Sequence, residues 1–249
     1  MPDIQPAGTE KARTVSRMFG RIASRYDRGN RVLSLGRDQA WRRLAVRLLN
    51  PTPTERVLDI GAGTGDLSLA LAGKAGSVVA LDFSLPMLEI GAAKIAHAHA
   101  PIACIAGDAL RLPFPNASFD AVATAFTVRN LASMERGFTE IYRVLRPGGR
   151  LAILEFTRPG SRLVTAVYKP YLSLVLPRIG GRLTGDGSAY RYLAASINSF
   201  TTPKEMGALL TGAGFLDVRW RLLNWGTVAV HLGTRPRGPA RQEGTAIHA

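Results

Sequence analysis

The segment Val57-Leu58-Asp59-Ile60-Gly61-Ala62-Gly63-Thr64-Gly65-Asp66 restricts the possible folds more than any other ten residues of the chain. An apolar strand runs into glycine at every second position, and the helix-forming residues 67–72 follow at once. Without a Cβ, such a turn can be sharp and can approach a ligand closely. A second apolar run, residues 77–81, ends at Asp82, the kind of carboxylate that a ribose needs. Strand, glycine turn, helix, strand and acid together make a unit that holds a nucleoside at the carboxyl end of a parallel sheet.

The glycines Gly61, Gly63 and Gly65 lack the two-residue gap of the dinucleotide fingerprint, and no Gly-Lys-Ser/Thr follows. Asp59 and Asp66 flank the turn. Two carboxylates are awkward beside a pyrophosphate but suit a cationic ligand. S-adenosylmethionine, a nucleoside carrying a sulfonium and an ammonium, meets that requirement. A bare strand-to-helix turn without ligand is the competing account, and Asp82 weighs against it.

At 249 residues with 46% apolar content, the chain suits one large domain with a sizeable core. No uncharged apolar run approaches the roughly 18 residues of a membrane span. Residues 1–10 are polar and do not look like a secretory signal. Cys104, the single cysteine, lies in an apolar run and reads as a buried thiol. His97, His99, His231 and His248 show no ligand spacing with acids, so no metal site is expected. The expected location is cytoplasmic.

The net charge of +14 is uneven: residues 1–50 hold 11 Lys or Arg against 4 Asp or Glu. Arg13, Arg17, Arg21 and Arg25 recur every fourth residue, one basic stripe on a helix. Like charges at that spacing repel, and an anionic surface would relieve them. Phospholipid and nucleic acid both qualify, and a solvated face is the plain alternative.

Residues 1–12 and the Gly-, Pro- and Arg-rich run from Arg235 onward read as tails. Residues 13–50 read as a helical cap, with Phe19, Ile22 and Tyr26 on one face and a second helix over 39–49. Pro51 and Pro53 separate it from alternating strands and helices, with strands near 56–60, 78–82, 102–106, 119–124 and 150–156. Such alternation predicts an α/β fold around a parallel sheet. Residues 215–223 and 227–232, joined by Asn224-Trp225-Gly226, predict an antiparallel hairpin at the edge, making seven strands. The division is therefore 1–50, tail and cap; 51–235, ligand-binding domain; and 236–249, tail. Residues 160–200 fit no strand-helix unit; this apolar insertion is expected to lie over the ligand crevice and to suit an apolar substrate. Completion of the core or a homodimer contact are its other uses.

The sequence resembles class I S-adenosylmethionine-dependent methyltransferases, and among them the menaquinone/ubiquinone biosynthesis C-methyltransferases. Three blocks carry the resemblance: Tyr26-Asp27-Arg28-Gly29-Asn30-Arg31-Val32-Leu33-Ser34 with Trp41; the glycine turn; and residues 143–157, Arg-Val-Leu-Arg-Pro-Gly-Gly-Arg-Leu-Ala-Ile-Leu-Glu-Phe-Thr. Smaller matches include Leu112-Pro113-Phe114, Arg129-Asn130 and Tyr190-Arg191-Tyr192-Leu193, and the whole covers roughly residues 19–233. Departures are Gly29 for the usual Met, Asp38 for His, Arg146 for Lys and Thr157 for Ser, with Ala125 where some relatives carry Ser. The Asp38 change removes a histidine that could have served as a base.

The resemblance implies a Rossmann-like methyltransferase fold, a mostly parallel seven-stranded sheet with a C-terminal hairpin and an N-terminal helical cap. It implies S-adenosyl-L-methionine as cofactor, held by Asp59, Gly61, Gly63, Thr64, Gly65, Asp82, Asp108 and Ala109, with Tyr26, Asp27 and Asn30 closing the crevice. Asp82 would take the ribose hydroxyls and Asp108 the adenine amino group; a helix N-cap before Leu110 is the competing role for Asp108. The implied reaction is C-methylation of a polyprenylated quinol, demethylmenaquinol first. Arg129 is expected at the phenolate with Asn130 beside it, and arginine cannot itself be the base. The alternatives are another apolar acceptor, including 2-methoxy-6-polyprenyl-benzoquinol, and a nucleic-acid methyltransferase suggested by pI ≈ 10.9. Few aromatics interleave the basic region and no base-flipping motif follows the fourth strand, so no nucleic-acid partner is expected. The basic stripe is expected to rest peripherally on the anionic inner face of the membrane.

Overall fold

The computed structural model describes residues 9–238, apart from the side chains of residues 9–16, 22, 183 and 184. Both predicted tails, and the Arg13 and Ile22 side chains, therefore lie wholly or largely outside the described residues. Helices α1 (Thr9–Leu33) and α2 (Arg37–Leu49) precede strand β1 (Arg56–Ile60). The chain then alternates α3 (Asp66–Ala72), β2 (Ser77–Asp82), α4 (Leu85–His97), β3 (Ile102–Ala106), β4 (Phe119–Ala125), α5 (Met134–Val144) and β5 (Leu145–Phe156). After β5 come α6 (Arg162–Pro170), a π-helical turn (Tyr171–Val175), α7 (Leu176–Thr184), α8 (Gly187–Asn198) and α9 (Pro203–Gly212). Strands β6 (Leu216–Leu223) and β7 (Val228–Thr234) finish the fold.

The seven strands form one sheet in the order β3-β2-β1-β4-β5-β7-β6. Pairings among β1 to β5 are parallel, whereas β7 runs antiparallel to both β5 and β6. The predicted hairpin is present, with β7 inserted and β6 on the edge. Strand β5 starts earlier than residue 150, because Leu145 pairs with Phe119 ahead of the Gly148-Gly149 irregularity. The chain is also anchored beyond β7. Arg235 sends Nη1 to the carbonyls of Tyr142 and Leu145, and its main chain pairs with Gly148 and Gly149, so the tail does not begin at Arg235.

Side chains alternate across a strand. Leu58 and Ile60 enter one core with Phe119, Phe138, Ile141 and Leu210, beneath α5 and α9. Val57 enters the other with Val46, Leu49, Leu67 and Leu71, beneath α2 and α3. Asp59 shares the parity of Val57 and is driven into that apolar layer at 0% exposure. A third, smaller core joins Met18 of α1 to Leu172, Leu176, Tyr190 and Ile197 of the 160–200 segment, so that segment packs on the N-terminal helix.

The basic stripe on α1 finds an internal counter-charge. Arg21 Nε lies 2.9 Å from Asp186 Oδ2, at the start of α8. The Ser188 hydrogen bond, with Arg21 contributing, holds the Asp186 carboxyl down at about 2. That pair relieves Arg21's share of the repulsion from within the chain.

Candidate active site

The carboxyl ends of β1 to β4 open into one cleft of about 840 Å³, counted out to its open mouth. Gly61, Gly63, Asp82, Asp108 and Ala109 line it from the strand ends, with Tyr26 of α1 opposite and Asn130 at the far side. Each of these is a sequence-predicted site residue. Asp59, Thr64 and Gly65 do not line the cleft, and neither does Arg129.

The glycine turn needs its glycines for contact as well as conformation. Gly61 has φ +69°, and a Cβ there would run into the Thr127 side chain. A Cβ on Gly91 of α4 would meet the Gly63 carbonyl at 2.9 Å, so α4 abuts the turn only as glycine. Asp82 then folds its carboxylate back onto the turn: Oδ2 accepts from Gly63 N and Oδ1 from Ser84 N, both at 2.7 Å. Burial raises the Asp82 pKa, against the pull of the Ser84, Gly63 and Phe83 amides. Ser84, at the same corner, has a buried hydroxyl with no partner among the described residues.

Beneath the turn lies a charged lattice that joins four helices. Thr64 Oγ1 donates to Asp27 Oδ1 of α1 at 2.5 Å. Lys94 of α4 reaches Asp27 Oδ2 and Asp66 Oδ1, both at 2.6 Å, and Gln39 of α2 donates to Asp66 Oδ2 at 2.7 Å. Burial would raise Asp66, yet the Lys94 hydrogen bond and charge, with Arg42 and Gln39, bring it below its ordinary value. Asp59 sits deeper. Its Oδ2 accepts from Ser68 Oγ at 2.5 Å while Oδ1 has no partner, and burial lifts its pKa from 3.8 to about 7 despite Ser68 and Arg42. Asp59 thus pins α3 to β1 from behind the turn. Asp38, the departure from the family pattern, is itself buried and binds Arg42 Nη1 at 3.1 Å and the Ser34 hydroxyl.

Asp108 follows β3 by one glycine, and Oδ1 accepts from Leu110 N at 2.9 Å. No helix starts there; an isolated bridge links Asp108 to Arg111. The N-cap role therefore gives way to a tight turn of the kind Asp favours.

Arg129 is not poised as a free cation at the cleft. Its guanidinium pairs with Glu155 Oε1 at 2.7 Å, both side chains at most 3% exposed, and Nη1 donates to the Phe126 carbonyl at 2.5 Å. Asn130 is the member of the pair that reaches the cleft; Nδ2 contacts the same Phe126 carbonyl at 3.4 Å and Oδ1 accepts from Tyr192 Oη at 3.2 Å. Phe126 lines the cleft with φ +60°, a left-handed conformation that a bulky residue rarely adopts. Its ring lies 4.8 Å from Phe156 and 6.3 Å from Trp41, with Arg42 5.3 Å from its centroid. Burial raises the pKa of Tyr168 and of Tyr192, with Arg129 drawing each partly back, so neither hydroxyl ionises readily.

Sequence reasoning missed Ser84, Lys94, Phe126, Thr127 and Glu155. Only Glu155 carried a signal, an acid inside the apolar run of β5.

The residues present fit S-adenosylmethionine: an acid at the β2 tip, a close-approach glycine turn, and a cleft lined by the carboxylates Asp82 and Asp108. Fold and cleft together define a class I S-adenosylmethionine-dependent methyltransferase. The sequence matches the ubiE/COQ5 methyltransferase family over residues 7–235, and the chain belongs to that family. It is 46% identical over 221 residues to a demethylmenaquinone methyltransferase of Thermus thermophilus, covering 88% of this chain and 100% of that one. It is 43% identical over 228 residues to one of Deinococcus radiodurans, covering 91% and 94%. A SAM-dependent methyltransferase of Thermotoga maritima superimposes with TM-score 0.63 at 21% identity, over 89% of this chain and 99% of that one. A phosphoethanolamine N-methyltransferase of Haemonchus contortus, solved with S-adenosylhomocysteine, gives 0.59 at 17% identity, over 78% and 52%. At those identities the two structures speak for the fold alone. Among the described residues, no helix is long and apolar enough to cross a membrane.

Proposed function

We propose that the chain methylates a ring carbon of demethylmenaquinol, the polyprenylated acceptor of its relatives, at the aromatic side of the cleft. Bound S-adenosylmethionine supplies the electrophilic methyl group. Asp82 would take the ribose hydroxyls, Asp108 and the Ala109 amide the adenine edge, and the glycine turn would lie against the amino-acid moiety. The Asp59–Ser68 contact fixes the turn from behind, and Thr64 fixes it to α1 through Asp27.

On the acceptor side, the Phe126 ring offers a flat apolar face, and the Asn130 side chain offers a polar contact for a quinol hydroxyl. Arg129 acts through its neighbours: it is neutralised by Glu155 and holds the Phe126 carbonyl that also contacts Asn130. Arg129 is therefore a positioning residue, and Asn130 the group that touches the acceptor. Much of the rate would come from placing the ring carbon and methyl near 3–3.5 Å.

Near-full-length identity to demethylmenaquinone methyltransferases is the observation that supports this acceptor. An oily tail also places the enzyme against the cytoplasmic face of the membrane as a peripheral protein. The test is to incubate the purified protein with labelled cofactor and either demethylmenaquinol or 2-methoxy-6-polyprenyl-benzoquinol, then identify products by mass spectrometry. Methylated naphthoquinol is expected; label in the benzoquinol alone would overturn the assignment.

A further inference from the structure

Residues 157–185 contain no Asp or Glu and five cations, Arg158, Arg162, Lys169, Arg178 and Arg182. Most of them build the continuous helical run of α6, the π-helical turn and α7. In α6 no residue is buried. Leu163, 83% exposed, and Val167, 75% exposed, lie four apart on one side of α6, and Leu174 of the π-helical turn is 53% exposed. Arg162 and Lys169, seven apart, line a shallow hollow on its flank with Pro170. No carboxylate lies within ion-pair distance of Arg162, Lys169, Arg178 or Arg182 among the described residues.

Two further exposed apolar side chains border the same end. Trp225, 80% exposed, precedes Gly226, which abuts Pro159 just before α6. Leu35, 84% exposed, follows Leu33, whose carbonyl accepts from Tyr171 Oη at 3.1 Å. The two loops are tied by Arg37 Nη1 to Asn224 Oδ1 at 2.8 Å.

We infer that α6 and the π-helical turn, flanked by Trp225 and Leu35, form the surface on which the enzyme rests on an anionic lipid bilayer. A helix with an apolar side, cationic flanks and no acids is suited to lie in the headgroup layer. An indole at its border suits the interface between water and acyl chains. A second copy of the chain fits less well, because a two-fold contact would set these cations against their own copies. Nucleic acid would find the cations but leave Leu163, Val167 and Leu174 in water. On the α1 stripe, Arg21 already has Asp186 as its counter-charge. The inference deepens the membrane placement proposed above but needs no particular acceptor.

The experiment is co-sedimentation of the full chain with vesicles of phosphatidylcholine alone or doped with phosphatidylglycerol. The comparison variants are Leu163→Glu/Val167→Glu and Arg162→Glu/Lys169→Glu, with thermal midpoints confirming that both fold. The wild type should partition onto the doped vesicles, less so in high salt, and each double variant at least about tenfold less. Both variants should keep wild-type turnover on a short-tailed, water-soluble quinol. Equal partition of wild type and variants overturns the inference. So does a wild-type dimer that the variants dissolve with vesicle binding unchanged, which would make the face an interface between copies. Failure of the wild type on every quinol, with vesicle binding intact, would remove the acceptor assignment and leave the docking face standing.

Discussion

Replacing Lys94 with methionine removes one charge and keeps the length of the side chain, which isolates the cation at the centre of the lattice under the glycine turn. Its ammonium makes two contacts of 2.6 Å, to Asp27 and Asp66, and the three side chains are 28%, 29% and 13% exposed. Hydrogen bonds to charged groups contribute about 1.5–3 kcal/mol each. Partial exposure favours the lower end, and the variant also leaves two carboxylates facing each other. A loss of about 3 kcal/mol is expected, or roughly 6–12 °C in melting midpoint for a chain of this size. Asp66 is held below its ordinary pKa in the folded state, so its share of the stability is present at neutral pH. That share fades as the pH falls below about 4. The gap between wild type and Lys94→Met should therefore narrow in acid. Because Asp27 also accepts the Thr64 hydroxyl, cofactor affinity measured by calorimetry should fall several-fold. A midpoint within about 1 °C of wild type together with unchanged affinity would refute the reasoning. Strict additivity of Lys94→Met with Asp66→Asn would refute the pairing itself, since contacting residues couple by about 0.5–3 kcal/mol.

Asp82→Ala should weaken S-adenosylmethionine binding by about 1.5–3 kcal/mol in titration calorimetry, and unchanged affinity would remove Asp82 from the site. Asp59→Asn should stabilise the cofactor-free protein at pH 8 and weaken its cofactor binding. The folded carboxyl titrates near 7 and the free one near 3.8, so its charging cost is full above 7 and absent below about 4. A gain in urea midpoint that does not shrink over that window would contradict the assignment. Arg129→Met and Glu155→Gln should each cost about 3–5 kcal/mol by stranding a buried charge or its partner, and the double variant less than their sum. Denaturant unfolding decides between that pattern and simple additivity.

Strands β1 to β3 were legible because each is a short apolar run closed by glycine or aspartate. Asp82 was legible as the acid ending the second run, and Gly61 and Gly63 as a turn that forbids side chains. What stayed hidden depends on partners far apart in the chain. Nothing local to Arg21 foretells Asp186, and nothing local to Lys94 foretells Asp27 and Asp66. Arg129 shows the same limit: an arginine beside the cleft in sequence became half of a buried pair once β5 delivered Glu155. The early start of β5 was masked by Pro147-Gly148-Gly149, which reads as a turn and folds as an irregularity inside a strand.

Helix α1 is a wall shared by two compartments. Phe19 and Tyr26 line the cleft and also pack against the core that buries Met18 with Leu172, Leu176 and Tyr190. On the proposed reaction the donor is water-soluble and the acceptor carries an oily tail, so each turnover would exchange two molecules of unlike solubility. Any displacement of α1 that frees spent donor also disturbs the packing behind it. Release of one product and admission of the next acceptor would then be steps of a single mechanical cycle.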